Sequence, residues 1–279
     1  MIMPERIAAL LTCHNRKAKT LACLASLFDV LPHADVYLTD DGCSDGTAEE
    51  VANQYPGVHI IKGDGNLFWS RGMYMAWSEA VKGDYDYYLW LNDDVELYPH
   101  FWIELMTCEQ LGGGNCIISG LIEDRKGDII YGGFDKSKKK IQRADTPQPI
   151  WLMNGNVVLV PRTIIEQIGI IDPVYHHDSG DADYGLRAQE QGLAVLSTRK
   201  AVAKGYANTI CRVRKGGLTI TERYRRLNSP LGAPIKISFY FRRKHFGLLN
   251  AFAFCAHLIV LNLLPDRMVT LIYGQKYAE

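Results

Sequence analysis

The chain has 279 residues and a mass of 31.4 kDa, which suits one large domain or one domain with an appendage. Apolar residues make up 47% and charged residues 22%, which allows a sizeable core and excludes general disorder. The absence of a collagen-like period, a heptad run or a repeat of about 20–50 residues excludes fibrous and solenoid classes. Seven cysteines without paired spacing do not indicate a disulfide framework, and residues 1–6 lack the apolar core of a signal peptide. We therefore expect a reduced, cytosolic protein.

The net charge is zero, with 31 basic and 31 acidic residues, but the charge is unevenly distributed. Residues 200–245 contain 12 lysines and arginines and one acid, Glu222, so that this segment carries +11 and the rest of the chain −11. A basic region of this size attracts phosphates, an anionic membrane surface or nucleic acid, and it can also be a solvated face without a ligand.

Short apolar runs alternate with helical patterns over the first hundred residues, which is typical of a doubly wound α/β domain with a parallel sheet. The predicted strands are 7–12, 34–39, 58–61, 87–91, 116–119 and 151–160. The predicted helices are about 16–30 (capped by Asn15), 47–54, 72–82, 99–111, 161–168 and 181–191. The polar, lysine-rich segment 123–149 predicts a hairpin or a mobile insertion.

An apolar segment at 247–264 distinguishes the C-terminal part of the chain. At 18 residues, and interrupted by Asn250, His257 and Asn262, it is short for a membrane-spanning helix, which needs about 20 apolar residues. It therefore predicts a helix on a membrane surface, a helix buried by packing or a transmembrane helix. We divide the chain into a domain at 1–210 and a basic and apolar helical extension at 211–279.

Polar clusters follow three predicted strands, at 12–15, 40–45 and 92–94. Because ligands of an open parallel sheet bind beyond the carboxyl ends of its strands, we expect the three clusters to converge. The adjacent carboxylates of Asp93 and Asp94 repel each other unless a cation or hydrogen-bond donors compensate. Mg²⁺ or Mn²⁺ with a nucleoside diphosphate would provide that cation, while each cluster by itself is equally consistent with a turn or a helix cap.

Two further segments carry candidate ligands. Arg71 lies at a predicted helix start, where an arginine and free amides suit a phosphate, although a surface arginine is an equal alternative. Asp181 and Asp183 belong to a group of three acids within residues 178–183, more than a helix N-terminus needs for capping. One of them could act as a general base toward a hydroxyl.

These segments resemble the family 2 glycosyltransferases with the GT-A fold, over roughly residues 5–210. The resemblance rests on Leu11-Thr-Cys-His-Asn15, Thr39-Asp-Asp-Gly-Cys-Ser-Asp-Gly-Thr47, Leu91-Asn-Asp-Asp-Val95 and Gly180-Asp-Ala-Asp-Tyr-Gly-Leu-Arg187, which follow one another in the family's order and spacing. The chain looks most similar to the rhamnosyltransferase-like branch that builds bacterial surface polysaccharides. The resemblance implies a Rossmann-like, mostly parallel central sheet with helices on both faces, followed by the basic, helical C-terminal extension.

The resemblance also implies a role for each matching residue. The nucleotide would be bound by Thr12, Asp40, Asp41, Arg71 and Asp93, the metal ion (Mg²⁺ or Mn²⁺) by Asp94, and the acceptor by Asn154, Gly155 and Asn156, with Asp181 as the catalytic base. Asn92 occupies the first position of the family's DxD element, and Gly180 replaces a frequent glutamate. Residues 204–208 lack the histidine that often binds metal or diphosphate.

The implied reaction is an inverting transfer of a sugar from a nucleoside-diphosphate sugar to a hydroxyl of a glycan or a polyprenyl-diphosphate-linked acceptor. The basic segment and the apolar tail predict a peripheral position at the inner face of the cell membrane. The alternative is a non-catalytic nucleotide-sugar-binding protein on the same fold, which would not need Asp181. A nucleotidyltransferase would need a glycine-rich loop after the first strand, which this chain lacks, and no motif supports nucleic-acid binding.

Overall fold

The computed structural model describes residues 5–207 and 211–277, and within them the strands form one nine-stranded sheet. The described residues cluster into two compact units. The first comprises 5–173 together with Gly180–Ala207, and the second comprises Val174–Ser179 together with 211–277.

Four parallel strands form the first half of the sheet. They are β1 (Ile7–Cys13), β2 (Asp35–Asp40), β3 (His59–Lys62) and β4 (Tyr87–Leu91), in the spatial order β3-β2-β1-β4. Between them lie α1 (Lys17–Phe28), α2 (Thr47–Gln54) and α3 (Phe68–Ala80). The register places Thr12 beside Thr39 and Cys13 beside Asp40, so the carboxyl ends of the strands meet at one edge, as the sequence predicts.

The second half of the sheet has strands of mixed direction. Its strands are β5 (Glu96–Leu97), β6 (Cys116–Glu123), β7 (Ile129–Tyr131), β8 (Val157–Pro161) and β9 (Ala194–Lys204). β8 joins the halves through antiparallel pairing with β4 and β6, while β9 runs parallel to β6. The segment 123–149, predicted as a hairpin or a mobile insertion, contains β7, which pairs antiparallel with β6 before it. The remaining helices of this unit are α4 (Phe101–Leu111), α5 (Arg162–Ile168) and α6 (Gly180–Glu190).

Both faces of the sheet are buried. Successive residues of β1 point to opposite sides, so Leu11 packs in one apolar cluster with Leu38 and Leu91, and Leu10 packs in another with Trp77 and Trp90. A strand that is buried on both faces must be apolar at every position, which explains the continuous apolar run of β1.

The start of α1 differs from the prediction that Asn15 caps it. Asn15 has a positive φ of 51°, and its Oδ1 accepts the amide of Ser44 at 2.7 Å. The Lys17 amide donates instead to Asp45 Oδ2 at 3.0 Å. The capping carboxylate therefore comes from the loop after β2, which is adjacent because β1 and β2 end side by side.

The second unit is helical. Its helices are α7 (Ile220–Leu227), α8 (Ile235–Phe246), α9 (Leu248–Leu263) and α10 (Asp266–Tyr273). A capping box starts α7, in which the side chains of Thr219 and Glu222 each accept the other's backbone amide. Arg214 is 1% exposed and donates to the Asp266 carboxylate and to the carbonyl oxygens of Leu261 and Leu264. Within the described ranges, every helix is too short or too polar to cross a membrane.

Glu104 is a buried acid that ties α4 to β9. Its side chain is 2% exposed and accepts the Arg199 amide and Nε at 3.0 Å each and Nη2 at 2.9 Å. Burial favours the neutral acid, but the hydrogen bonds from Arg199 outweigh it and hold the pKa of Glu104 below its ordinary value of 4.5.

We expect Glu104→Gln to lower the free energy of unfolding at neutral pH by about 2 kcal/mol or more, because Arg199 loses its counter-ion. Since the pKa is depressed on folding, this stabilisation is present above the unfolded pKa of 4.5 and is lost as the pH falls through the folded value. Urea unfolding at neutral pH and near pH 3 measures the difference. Glu96→Gln, at an exposed acid, is the control, and an equal loss at both pH values would contradict the assignment.

Candidate active site

The acidic residues that follow β4 contact the start of α1. Arg16 Nη1 lies 3.2 Å from Asp93 Oδ1 and 3.0 Å from Asp94 Oδ2, and Lys19 Nζ lies 3.9 Å from the same Asp94 oxygen. Asp93 is 5% exposed, and burial raises its pKa to about 6 against the opposing effect of Arg16. The Asp94 side chain is 23% exposed. In this structure Arg16 supplies the positive charge that adjacent carboxylates require, and Asp94 is the more accessible of the two.

Asn92 has a structural reason to be an amide where the family pattern has an aspartate. Its Oδ1 accepts Trp69 Nε1–H at 2.7 Å, and its Nδ2 donates to Asn156 Oδ1 at 2.8 Å. An ionised carboxylate can accept but cannot donate, so an aspartate would lose the second bond. Asn92 therefore joins the loop after β4 to α3 and to the segment before β8.

Asp41 organises the loop that leads into α3. One carboxylate oxygen accepts the Gly65 amide at 2.8 Å, the other accepts the Phe68 amide at 2.9 Å, and the Leu67 amide lies 3.1 Å from both. Phe68 has a positive φ of 57°, a strained conformation that these bonds stabilise. The capping carboxylate thus comes from the end of β2, and α3 begins at Phe68, four residues before the predicted start at 72.

Thr12 and Asp40 support the neighbouring backbone. A Cβ at Gly72 would lie 2.2 Å from Thr12 Oγ1, so only glycine lets α3 approach β1 this closely. Asp40 Oδ1 accepts the Cys43 amide at 2.8 Å.

A pair of thiols lies beside Asp40. The Cys13 and Cys43 sulfurs are 3.7 Å apart, and their ligand atoms and that of Asp40 lie within 4.8 Å of one another. Two sulfurs suit a soft metal ion rather than Mg²⁺ or Mn²⁺, and burial raises the pKa of the Cys13 thiol. We therefore interpret this pair as packing of the loop.

The predicted base and the predicted acceptor segment are in contact. Asp181 lies in the first turn of α6, where its Oδ1 accepts the Ala182 amide at 2.8 Å and its Oδ2 accepts the Gly155 amide at 2.9 Å. A Cβ at Gly155 would lie 2.4 Å from Trp69 Cη2 and 3.1 Å from Asp181 Cβ. Glycine is therefore required where the tryptophan ring and the carboxylate meet.

The other candidate residues have contacts of their own. Asp183 is fully buried and pairs with Arg187 Nε at 2.9 Å, which gives this acid a structural role and leaves Asp181 as the candidate base. Asn154 Oδ1 accepts the Gly133 amide at 2.9 Å. Arg71 Nε donates to the carbonyl oxygen of Pro173 at 3.0 Å, so Arg71 reaches the loop before Val174.

Trp69 connects the candidate residues, and sequence analysis missed its role. The backbone amide of Phe68, the residue before Trp69, donates to Asp41. The Trp69 Nε1–H donates to Asn92, and the Trp69 ring packs against Gly155, which has no side chain. The structure thereby brings together the residues after β2, the residues after β4 and the start of α6. Arg16 was also missed, although its position directly after the first polar cluster is a signal that could have identified it.

Comparison with solved structures identifies the fold. GalNAc-T7 with UDP, GalNAc and Mn²⁺ matches with a TM-score of 0.58 and 13% identity over 88% of this chain and 55% of that chain. The mannosyltransferase PcManGT from Pyrobaculum calidifontis, in complex with GDP-Man and Mn²⁺, matches with a TM-score of 0.58 and 11% identity over 99% and 85%. S. aureus TarS matches with a TM-score of 0.57 and 12% identity over 96% and 52%. The chain spans about half the length of GalNAc-T7 and of TarS, and its fold is the GT-A fold of glycosyltransferases.

A comparison of the sequence with models of protein families gives one match. Residues 9–147 match the family described as Glycosyl transferase family 2. The matched segment begins within β1, and it contains β2 to β4 and the three polar clusters at 12–15, 40–45 and 92–94. Residues 9–147 are therefore similar to a family 2 glycosyltransferase domain. A search of curated proteins finds no significant match.

We expect Gly155→Ala to destabilise the site, because the added methyl group would lie 2.4 Å from the Trp69 ring, which is held by Asn92. Overpacking of this kind costs about 1–3 kcal/mol. Urea unfolding followed by tryptophan fluorescence measures the loss. Gly57→Ala is the matched control, since nothing lies within 4 Å of a Cβ there. Equal stability of the two variants would show that the Trp69 contact tolerates a side chain.

Proposed function

We propose that the protein is an inverting glycosyltransferase that moves a sugar from a nucleoside-diphosphate sugar to a hydroxyl of a glycan or lipid-linked glycan. The observation that carries this proposal is the Asp181 carboxylate, which accepts the Gly155 amide beside the Trp69 ring. Trp69 in turn donates to Asn92, the residue directly before Asp93 and Asp94. A rhamnosyltransferase-like role in bacterial surface-polysaccharide synthesis is the specific form we propose, on the sequence resemblance described above.

The donor nucleotide is assigned to the ends of the parallel strands. Thr12, Asp40, Asp41 and Asp93 lie there, and the GalNAc-T7 and PcManGT structures contain UDP and GDP-Man. Asp41 contributes by fixing the loop at 65–68, since its carboxylate accepts three amides of that loop. Arg71 donates its Nε to the Pro173 carbonyl oxygen, and in this proposal its terminal nitrogens bind the diphosphate.

The chemistry of the acidic pair fits a divalent metal ion. Asp94 offers a partly exposed carboxylate, and hard oxygen donors suit Mg²⁺ or Mn²⁺. The GalNAc-T7 and PcManGT structures both contain Mn²⁺. Asp94 would hold the ion with help from Asp93, and Arg16 would then share or leave its position between them. When bound, the ion would neutralise charge that develops on the nucleoside-diphosphate leaving group.

The protein's own residues perform the proton transfer in this proposal. The acceptor hydroxyl gives its proton to an Asp181 oxygen while its own oxygen attacks the anomeric carbon, and the bond from that carbon to the diphosphate breaks. The amides of Gly155 and Ala182 hold the carboxylate in one orientation, and attack from the side opposite the leaving group inverts the anomeric configuration. The alternative is a nucleotide-sugar-binding protein without catalysis, in which the Asp181–Gly155 contact would only stabilise the fold.

We expect Asp181→Asn to lower sugar transfer by about 10²–10⁴-fold and to leave donor binding unchanged, because the amide keeps an acceptor oxygen but cannot take the proton. Thermal shifts with UDP, dTDP and GDP, with and without Mn²⁺, first identify the nucleotide, since a ligand of the folded state raises its melting temperature. Turnover of the corresponding sugar nucleotides is then measured.

Asp183→Asn is the control for this variant. It weakens the pair with Arg187, so it should lower the melting temperature and retain the rate per folded molecule. Wild-type turnover by Asp181→Asn would contradict the assignment of the base. Donor binding by the wild-type protein without transfer to any acceptor would favour the non-catalytic alternative.

We also propose that the second unit binds the inner face of the cell membrane, which would give access to a polyprenyl-diphosphate-linked acceptor. The outward face of α9 is apolar, with Leu249 86%, Phe252 58% and Val260 52% exposed. On α10, Leu271 is 87% exposed. Soluble proteins rarely expose an apolar face of this kind without a partner. Arg243 and Lys244, which are exposed at the end of α8, favour anionic lipid as that partner.

We expect Leu249→Glu combined with Phe252→Glu to abolish sedimentation with anionic vesicles at low salt, because each apolar side chain inserted into lipid contributes about 1.5–3 kcal/mol. Ile103→Glu is the matched control, since Ile103 is 71% exposed on α4 of the first unit. Sedimentation of the double variant at the wild-type level, or failure of the wild-type protein to sediment, would refute the membrane assignment.

A further inference from the structure

A cavity of about 210 Å³ lies within the second unit, lined by 176–179, by the turn at 230–234 and by α8 and α9. Four of its side chains can carry positive charge, and one carries negative charge. The basic ones are His176, His177, Arg212 and Arg242, and the acid is Asp178. Most of the remaining wall is apolar or small, and it includes Phe241 and Phe254. The cavity is therefore both cationic and apolar.

Arg242 provides the main reason to expect an anion there. Burial lowers its pKa, and its guanidinium carbon lies 4.0 Å from the centre of the Phe254 ring and 5.3 Å from that of Phe246. Among the residues that the structure describes, no carboxylate lies within 4.0 Å of its guanidinium nitrogens. Aromatic rings compensate a buried cation only in part, so an anion in the cavity would stabilise Arg242.

The other charged groups around the cavity do not remove its excess of positive charge. Arg212 Nη1 lies 2.8 Å from Asp178 Oδ1, so these two neutralise each other. The start of α8, a helix of 12 residues, contributes Pro234, Ile237 and Ser238 to the wall. The positive end of that helix dipole thus adds to the charge of Arg242 at the cavity.

The size of the cavity limits what it can hold. Pockets for drug-sized ligands have volumes of roughly 300–1,000 Å³, so about 210 Å³ suits a phosphate or diphosphate group rather than a whole sugar nucleotide. The apolar part of the wall and the exposed apolar face of α9 belong to the same unit. A phosphate attached to an apolar chain would satisfy both the cationic and the apolar features.

We propose that this cavity binds the diphosphate group of an isoprenoid-type lipid, which is the chemistry of a lipid-linked sugar acceptor. The proposal rests on the proposed function for the identity of the acceptor, but the binding itself needs neither donor nor catalysis. Arg242 forms charge-assisted hydrogen bonds to the phosphate oxygens, and the Phe241 and Phe254 side of the wall contacts the first carbons of the chain.

The test measures binding of farnesyl diphosphate to the full-length protein by calorimetry, in the absence of a sugar nucleotide. We expect Arg242→Gln to weaken binding by at least about tenfold, because one charged donor is lost. Arg243→Gln removes the same charge from the next, exposed position of α8, which does not line the cavity, and should bind as the wild type does. Equal binding by the two variants would overturn the proposal.

Three further measurements complete the test. Inorganic diphosphate that binds as tightly as farnesyl diphosphate would refute the lipid part, and so would vesicles of anionic phospholipid that compete equally well. Arg242→Lys keeps the charge but loses the planar guanidinium group, so it should bind farnesyl diphosphate with intermediate affinity. It replaces Arg242→Gln in the test if the glutamine variant does not fold. Asp181→Asn should bind farnesyl diphosphate normally, so a failure of sugar transfer and a failure of this cavity are distinguished.

Discussion

The arrangement of the candidate site depends on the hydrogen bond from Trp69 Nε1 to Asn92 Oδ1. This bond fixes the first turn of α3 against the end of β4, although the two bonded residues are 23 positions apart in the chain. The ring then occupies the space that Gly155 leaves, which sets the position of the backbone amide that Asp181 accepts. Without the bond, the acidic pair after β4 and the carboxylate at the start of α6 would lose their common support.

Buried charged side chains are compensated in more than one way in this protein. In the first unit, three buried acids have a basic partner within 4 Å, as Asp93 has Arg16, Asp183 has Arg187 and Glu104 has Arg199. The buried Asp41 instead accepts backbone amides. Burial of such pairs is costly, so their geometry has to be specific. In the second unit Arg214 is satisfied in the same way by Asp266, but Arg242 rests on aromatic rings. This contrast is why we assign a ligand to the second unit.

Sequence patterns predicted β1 to β4 within two residues. For β1 and β4 the reason is that a strand buried on both faces must be a continuous apolar run. The predicted strand at 87–91 coincides with β4, whereas β9 was missed because Arg199 and Lys200 interrupt its apolar pattern. The start of α3 was placed too late because its cap, Asp41, lies 27 residues before Phe68 in the chain. The sequence predicted which residues of the site carry chemically reactive groups. It did not predict their hydrogen-bond partners, because those partners come from elements that are distant in the chain.

The apolar tail shows why hydropathy alone does not assign a helix to an environment. α9 buries one face through Ala251, Cys255 and Leu258, while the opposite face is equally apolar and exposed. A helix that only packs on its own unit needs one apolar face, and a spanning helix needs about 20 residues, against the 16 of α9. A helix at a membrane surface can be shorter than a spanning helix, but it needs two apolar faces, because its inner face packs on protein and its outer face enters lipid. The second apolar face of α9 therefore argues for a lipid surface as its natural environment.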